Sequence, residues 1–215
     1  MKYTVTPSLL SLYKDCPRCF WQHYRGKKRP EGIYPSITYG IQKVLQQRAD
    51  WFREKGVLPR ELKSVHNAKL FDHALMALWR NGKKGLQWKS PEGHRLIGAV
   101  DDVLQRGEKL MVLEYVTRGF ATKKETPAYY QDKLDLYTFL LQKNGFETDN
   151  FACIVFYFPK GMNSGGDIWF QKDLKWRKVS VQNAERLFYK AISVLEGKMP
   201  KASSGCGFCK WKEVK

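Results

Sequence analysis

Hydrophobic and polar positions along this chain alternate in two rhythms, and the places where the rhythm changes mark its elements. Thr6-Pro7 opens the first helix, because Thr accepts from helix-start amides and Pro fits the first helical position. Leu9, Leu12, Tyr13, Phe20 and Tyr24 continue at roughly helical spacing. Segments 36–55 and 63–79 read as a second and a third helix, each polar on one side. A period of two then takes over. It predicts a strand at 86–89 and a hairpin with arms 95–105 and 109–118, and 127–143 is helical up to Asn144-Gly145. Residues 151–158 form the longest apolar run and read as a buried strand. An alternating strand at 167–179 follows a Gly-rich turn at 161–166, and Ser180 caps a last helix running to 195. The order predicts a single mixed α/β domain over 1–215, with a central sheet flanked by helices. No Gly-rich phosphate loop of either standard spacing occurs.

The hairpin carries the first chemical signal. Arg106-Gly107-Glu108-Lys109 suits a two-residue type II′ loop with Gly first. Counting outward from an Arg106–Lys109 pair sets Asp101 opposite Glu114, where Cβ atoms are about 4.5–5.5 Å apart and like charges repel. A hard cation such as Mg²⁺ or Mn²⁺ would relieve that repulsion, since one or two carboxylates plus water hold it. Ala99, Asp101, Val112, Glu114, Val116 and Arg118 share one face, and Asp102 points the other way.

Charge and cysteine spacing add to this. The 215 residues include 38 Lys and Arg against 21 Asp and Glu, a formal +17 that attracts polyanions, nucleic acid above all. Seven Trp and eleven Tyr supply stacking surfaces for unpaired bases. An eight-residue apolar run is too short to cross a membrane. No segment concentrates basic charge on an amphipathic face, so no membrane partner is expected. The first residues lack a signal pattern, which predicts a cytoplasmic protein. Four of five cysteines fall into Cys16-Pro-Arg-Cys19 and Cys206-Gly-Phe-Cys209. If the ends of the chain meet, four thiolates make a tetrahedral site for Zn²⁺ or an iron–sulfur cluster, shielded by Phe20, Trp21, Phe208 and Trp211. His23 lies one helical turn beyond Cys19.

With these residues in view, the chain resembles the PD-(D/E)XK nucleases of the RecB/AddB type, which include the CRISPR-associated exonucleases. Ser8-Leu9-Leu10 through Cys16-Pro17-Arg18-Cys19-Phe20 is similar to that family's opening helix. Gly98-Ala99-Val100-Asp101 is similar to its G-x-x-D strand, Glu114-Tyr115-Val116-Thr117 to its (D/E)-x-K-T strand, and the helix around Tyr137 to its Q-x-x-x-Y motif. The resemblance implies a restriction-endonuclease-like fold, metal-dependent phosphodiester hydrolysis on DNA rather than RNA, and Mg²⁺ or Mn²⁺ at Asp101 and Glu114. It also implies a 4Fe–4S cluster on Cys16, Cys19, Cys206 and Cys209 (with Zn²⁺ the alternative, since the ligands split two and two), and protein partners in repair or CRISPR adaptation. Lys27, Lys28, Arg29, Arg118, Lys123 and Lys124 are expected to line the nucleic-acid groove.

Three positions depart from the pattern. The motif Lys is Val116. The motif Gln falls on Lys133, with Gln131 out of register. The upstream helix, where a metal-binding His often follows a Gly, offers only Gly40-Ile41-Gln42-Lys43. Three readings follow for Val116. Another cation replaces the lost one, Lys133 before Arg118 because Arg rarely exchanges protons. Alternatively, the chain is a pseudonuclease that binds nucleic acid without cutting it. Or Val116 is an introduced substitution that silences a working enzyme.

Overall fold

A computed structural model describes residues 1–30, 32 and 36–213. The chain order is β1 (Thr4–Val5), α1 (Pro7–Asp15), α2 (Pro17–His23), α3 (Ser36–Glu54), β2 (Ala68–Leu70), α4 (Met76–Trp79), β3 (Leu86–Lys89), β4 (Arg95–Gly98), β5 (Asp102–Arg106), β6 (Lys109–Thr117), α5 (Gln131–Lys143), β7 (Phe151–Met162), β8 (Ile168–Lys178), α6 (Val181–Glu196) and α7 (Gly207–Glu213). The strands form two mixed sheets, β1-β4-β3 and β2-β5-β6-β7-β8. In the larger sheet, β6 and β7 run parallel and α5 crosses between them; the other pairs are antiparallel.

Alternation along β6 divides the core in two. Leu110, Val112 and Val116 pack with Leu134 and Tyr137 of α5 and Phe188 of α6. Met111, Leu113 and Tyr115 face Leu45 and Ala49 of α3. Glu114 therefore points to the α5 side, between two valines. Thr6 Oγ1 accepts from the Leu9 amide and Ser180 Oγ from that of Asn183, as the capping residues predict.

The β5–β6 turn keeps the expected register: Arg106 pairs with Lys109 and Asp102 with Leu113. Gly107 has φ +59° and Glu108 stays at negative φ, which fits a type II′ loop and excludes type I′. The first arm, however, is not one strand. It breaks at 99–101, where the chain leaves the small sheet as β4 and enters the large one as β5. Gly98 shows why the switch is close-packed. A Cβ there would lie 2.7 Å from Leu140 Cδ1 and 2.8 Å from Tyr137 Cε1. Gly98→Ala is expected to cost about 1–3 kcal/mol by overpacking against α5. A urea midpoint matching wild type would refute that contact.

Segment 63–79 is not one helix: only Met76–Trp79 at its end is helical. A short 3₁₀ turn at Arg60–Leu62 leads through Asn67, at φ +54°, into β2, which pairs with the edge of β5. A left-handed residue interrupts a helix, and Lys69 and Leu70 then find ladder partners in Gln105 and Leu104. Helix 127–143 begins instead as a 3₁₀ segment, Thr126–Tyr130, and the run at 151–158 extends to Met162. The first Cys pair sits at a junction: α1 ends before Cys16, and Pro17 opens α2.

Candidate active site and cysteine centre

Asp101 lies at the sheet switch. Beyond the Asp102–Leu113 pair, β5 offers no further carbonyl to β6, and Asp101 Oδ2 accepts the Tyr115 amide at 3.0 Å instead. Gln42 of α3 donates to Asp101 Oδ1. The Asp101 main-chain carbonyl accepts from Arg80 Nε at 2.9 Å. Arg80 also pairs with Asp50 and Asp102, and Arg53 with the same two acids. This network of two arginines and two aspartates, buried at Asp102 and half-exposed at Asp50, ties α3, Arg80 and the start of β5 together. Asp102 does point away from the site, as alternation requires.

Glu114 is 2% exposed. Its Oε1 accepts from Lys133 Nζ, one turn into α5, while its Oε2 is buried with no hydrogen-bond partner. Burial and the adjacent Asp101 carboxyl push the Glu114 carboxyl up to about 8, against the pull of Lys133. Lys133 is held above its ordinary value: burial opposes this, and Glu114, Tyr137 and Asp101 outweigh it. It is an ammonium at neutral pH. Its Nζ lies 5.5 Å from the centre of the Tyr137 ring, an attraction that fixes its direction.

Three clefts meet at Lys133. One of ≈ 660 Å³ also exposes Asp101, Gln42, Lys43 and Lys83; one of ≈ 260 Å³ exposes Glu114, Val116 and Tyr130; one of ≈ 400 Å³ exposes Ser8, Gly98 and Tyr137. Asp101, Glu114, Lys133 and Tyr137 are thus brought together, with Val116 beside them. Arg118 is half-buried against the Tyr130 hydroxyl, and its Nε has no partner. Gln131 is spent on Asp135 and the Lys178 carbonyl. Lys27, Lys28, Lys123 and Lys124 are exposed and line none of these three clefts. Arg29 also lines none of these three clefts: it pairs with Asp15 and donates from Nη2 to Cys206 Sγ at 3.2 Å. Lys43, Lys83 and Gln42 are the residues that sequence reasoning left out, and the turn of α3 after Gly40 was the available signal for two of them.

The two CxxC pairs do meet. The four buried Sγ atoms lie within 4.8 Å of one another, with Cys16–Cys209 at 3.9 Å, Cys19–Cys206 at 3.6 Å and Cys19–Cys209 at 3.5 Å. The group fits a metal such as Zn²⁺ or an iron–sulfur centre. Burial pushes the Cys16 thiol up, but hydrogen bonds from the Ser203 and Cys19 backbone and from the Cys206 and Cys19 thiols bring it down to about 6. Arg29 adds a cation beside sulfur, which favours thiolates. Phe208 packs on the cluster, whereas Phe20 belongs to the main core and Trp211 is half-exposed. His23 stays outside the group.

No protein-family model matches this chain, and no curated protein matches it. Among the described residues, no helix is long and apolar enough to cross a membrane.

Proposed function

We propose that this chain is a metal-dependent DNA nuclease of the PD-(D/E)XK type in which Lys133 takes the place of the missing motif lysine. The observation that carries this reading is the placement of the Lys133 ammonium on Glu114 Oε1, in the cleft that Val116 lines, with Glu114 Oε2 left buried and unpartnered. A buried carboxylate oxygen with no donor costs free energy unless something arrives to meet it. Asp101 and Glu114 are the residues that would hold Mg²⁺ or Mn²⁺, which when bound supplies Lewis-acid stabilisation of the phosphate and an activated water.

The chain's own groups do the remaining work. Gln42 and the Tyr115 amide hold the Asp101 carboxylate in orientation. Lys133 stays protonated, so it acts as a donor to developing phosphate charge and not as a base. Tyr137, largely buried where it lines the ≈ 400 Å³ cleft, positions Lys133 through its ring face. End-labelled single-stranded DNA incubated with Mn²⁺ is expected to be cut by the wild type and left intact by Asp101→Asn. Equal cutting by both would refute the site; cutting by neither leaves the second reading. That reading is a DNA-binding pseudonuclease, and the engagement of both carboxylates by Gln42 and Lys133 favours it.

For the cysteine centre, we propose one Zn²⁺ ion. Zn–S bonds of about 2.3 Å place tetrahedral thiolates about 3.8 Å apart. Three of the sulfur–sulfur distances, at 3.5–3.9 Å, match that spacing, and all lie within 4.8 Å. A 4Fe–4S unit interposes its own irons and sulfides and needs wider separations, so here the geometry favours the alternative to the family's cluster. The purified protein is expected to be colourless with one zinc per chain; a brown protein with broad visible absorbance would refute zinc.

A further inference from the structure

The start of α3 has two working faces. Thr38 and Gln42 line the Glu114 cleft. Ile37, Ile41 and Val44 line a separate groove of ≈ 660 Å³, walled on the other side by Trp169 and Phe170 of β8. Ile37, Val44 and Trp169 are 76%, 60% and 52% exposed, so this apolar surface is open to solvent. Trp169 is not a loose side chain. A Cβ on its cross-strand partner Gly161 would fall 2.7 Å from the indole. Only glycine lets the ring lie against the β7 backbone, with half of its surface left open. Arg48 lines this groove and also the next cleft along α3, of ≈ 720 Å³, where Arg60, Lys63 and His66 gather. Lys172, at the Trp169 end, and Arg60 and Lys63, at the far end, have no ion pair among the described residues.

We propose that this path along α3 is a track for an unpaired nucleic-acid strand, with bases stacking on Trp169 and phosphates reaching Lys172, Arg60 and Lys63. An apolar wall with unpaired cations at both ends suits a strand that presents base faces and phosphates together. A duplex hides its base faces, and a second copy of a chain carrying +17 is repelled. The track rests on the nuclease reading for its destination, since its α3 wall adjoins the Glu114 cleft.

Fluorescence anisotropy of labelled dT15 and of a 15-bp duplex, both with EDTA so that nothing is cut, tests it. Trp169→Ala and Val44→Asp are each expected to weaken dT15 binding about tenfold or more, as loss of a stacked base does, with duplex binding unchanged. Trp176→Ala, on the same strand but outside the groove, is expected to bind as wild type. Arg60→Gln with Lys63→Gln is expected to flatten the salt dependence by about 1.4 in log–log slope, two single-strand phosphates. Val44 sits on an exposed helix face, so Val44→Asp keeps the test valid if Trp169→Ala misfolds. Unchanged dT15 affinity in both Trp169→Ala and Val44→Asp overturns the track. So does a wild-type dimer that Val44→Asp turns into a monomer, because the groove is then a protein interface. If the wild type cuts DNA with Mn²⁺ and these variants bind normally, only the track fails. If dT15 binding is lost as expected and no nucleic acid is ever cut, only the nuclease reading fails.

Discussion

Replacing Lys133 with Met is expected to lower Mn²⁺-dependent DNA cleavage by about two to three orders of magnitude, the usual effect of removing one preorganised donor from a phosphate or oxyanion site. The loss should fall on kcat, because the interaction is made with charge that develops in the transition state. Putting Val116→Lys into the Lys133→Met background is expected to recover at least tenfold. The two positions line one cleft, so a cation from β6 reaches the same ground as one from α5. Full activity of Lys133→Met alone would refute the migrated lysine.

The control against simple unfolding comes from pH. The Glu114 carboxyl is raised from an ordinary 4.5 to about 8 in the folded protein. A raised carboxyl contributes stability in full below its unfolded value and loses it as pH rises through the folded one. The metal-free protein should therefore lose stability between about pH 4.5 and pH 8. Without Lys133 the buried carboxylate has no counter-charge, so its proton is held more tightly and the decline should continue to higher pH. At pH 6.5 the metal-free carboxyl takes a proton and the variant stays folded, so a melt there shows that lost activity is not lost structure. A variant equally destabilised at pH 6 and pH 9, followed by thermal melting, would contradict this account of Glu114.

What could be read from the sequence follows from how local each cause is. The β5–β6 register needed only Gly107 and a count outward, which holds from Arg106–Lys109 to Asp102–Leu113, one residue short of Asp101 and Glu114. The break at 99–101 depends on Tyr137 and Leu140 pressing on Gly98 from a helix about forty residues away, and no local pattern encodes that. Segment 63–79 carries helical spacing, yet β5 has an open edge, and pairing with it outweighs propensity. Asp50, Arg53, Arg80 and Asp102 are ordinary surface charges in sequence, and only the fold brings them together around the buried Asp102. The partners of Arg29 are hidden for the same reason. In a run of basic residues it reads as a phosphate contact, but the chain ends close around it and its guanidinium meets Cys206.

Chelation at the cysteine centre is expected to produce the largest loss of stability. The centre joins residues nearly the full chain apart, 187 positions between Cys19 and Cys206. A cross-link over so long a loop stabilises by on the order of 4–5 kcal/mol through the unfolded state. For a domain of this size that corresponds to a drop in Tm of about 10–20 °C. Between α6 and Cys206 the described tail is held to α2 by side-chain hydrogen bonds. Arg18 and Trp21 of α2 bind the carbonyls of Pro200 and Gly197, but α7 has seven residues, too few to persist alone. Cys206→Ser should therefore lose the metal, lower Tm by a similar amount, and release hydrogen-exchange protection at residues 206–210 while leaving that of α5 and β6 intact. Cys153→Ala makes the contrast. Its thiol is buried against Met111 in the second core, so that change costs packing and keeps the metal. If Cys206→Ser melts within about 2 °C of wild type, the four thiols do not tie the ends of this chain through a metal.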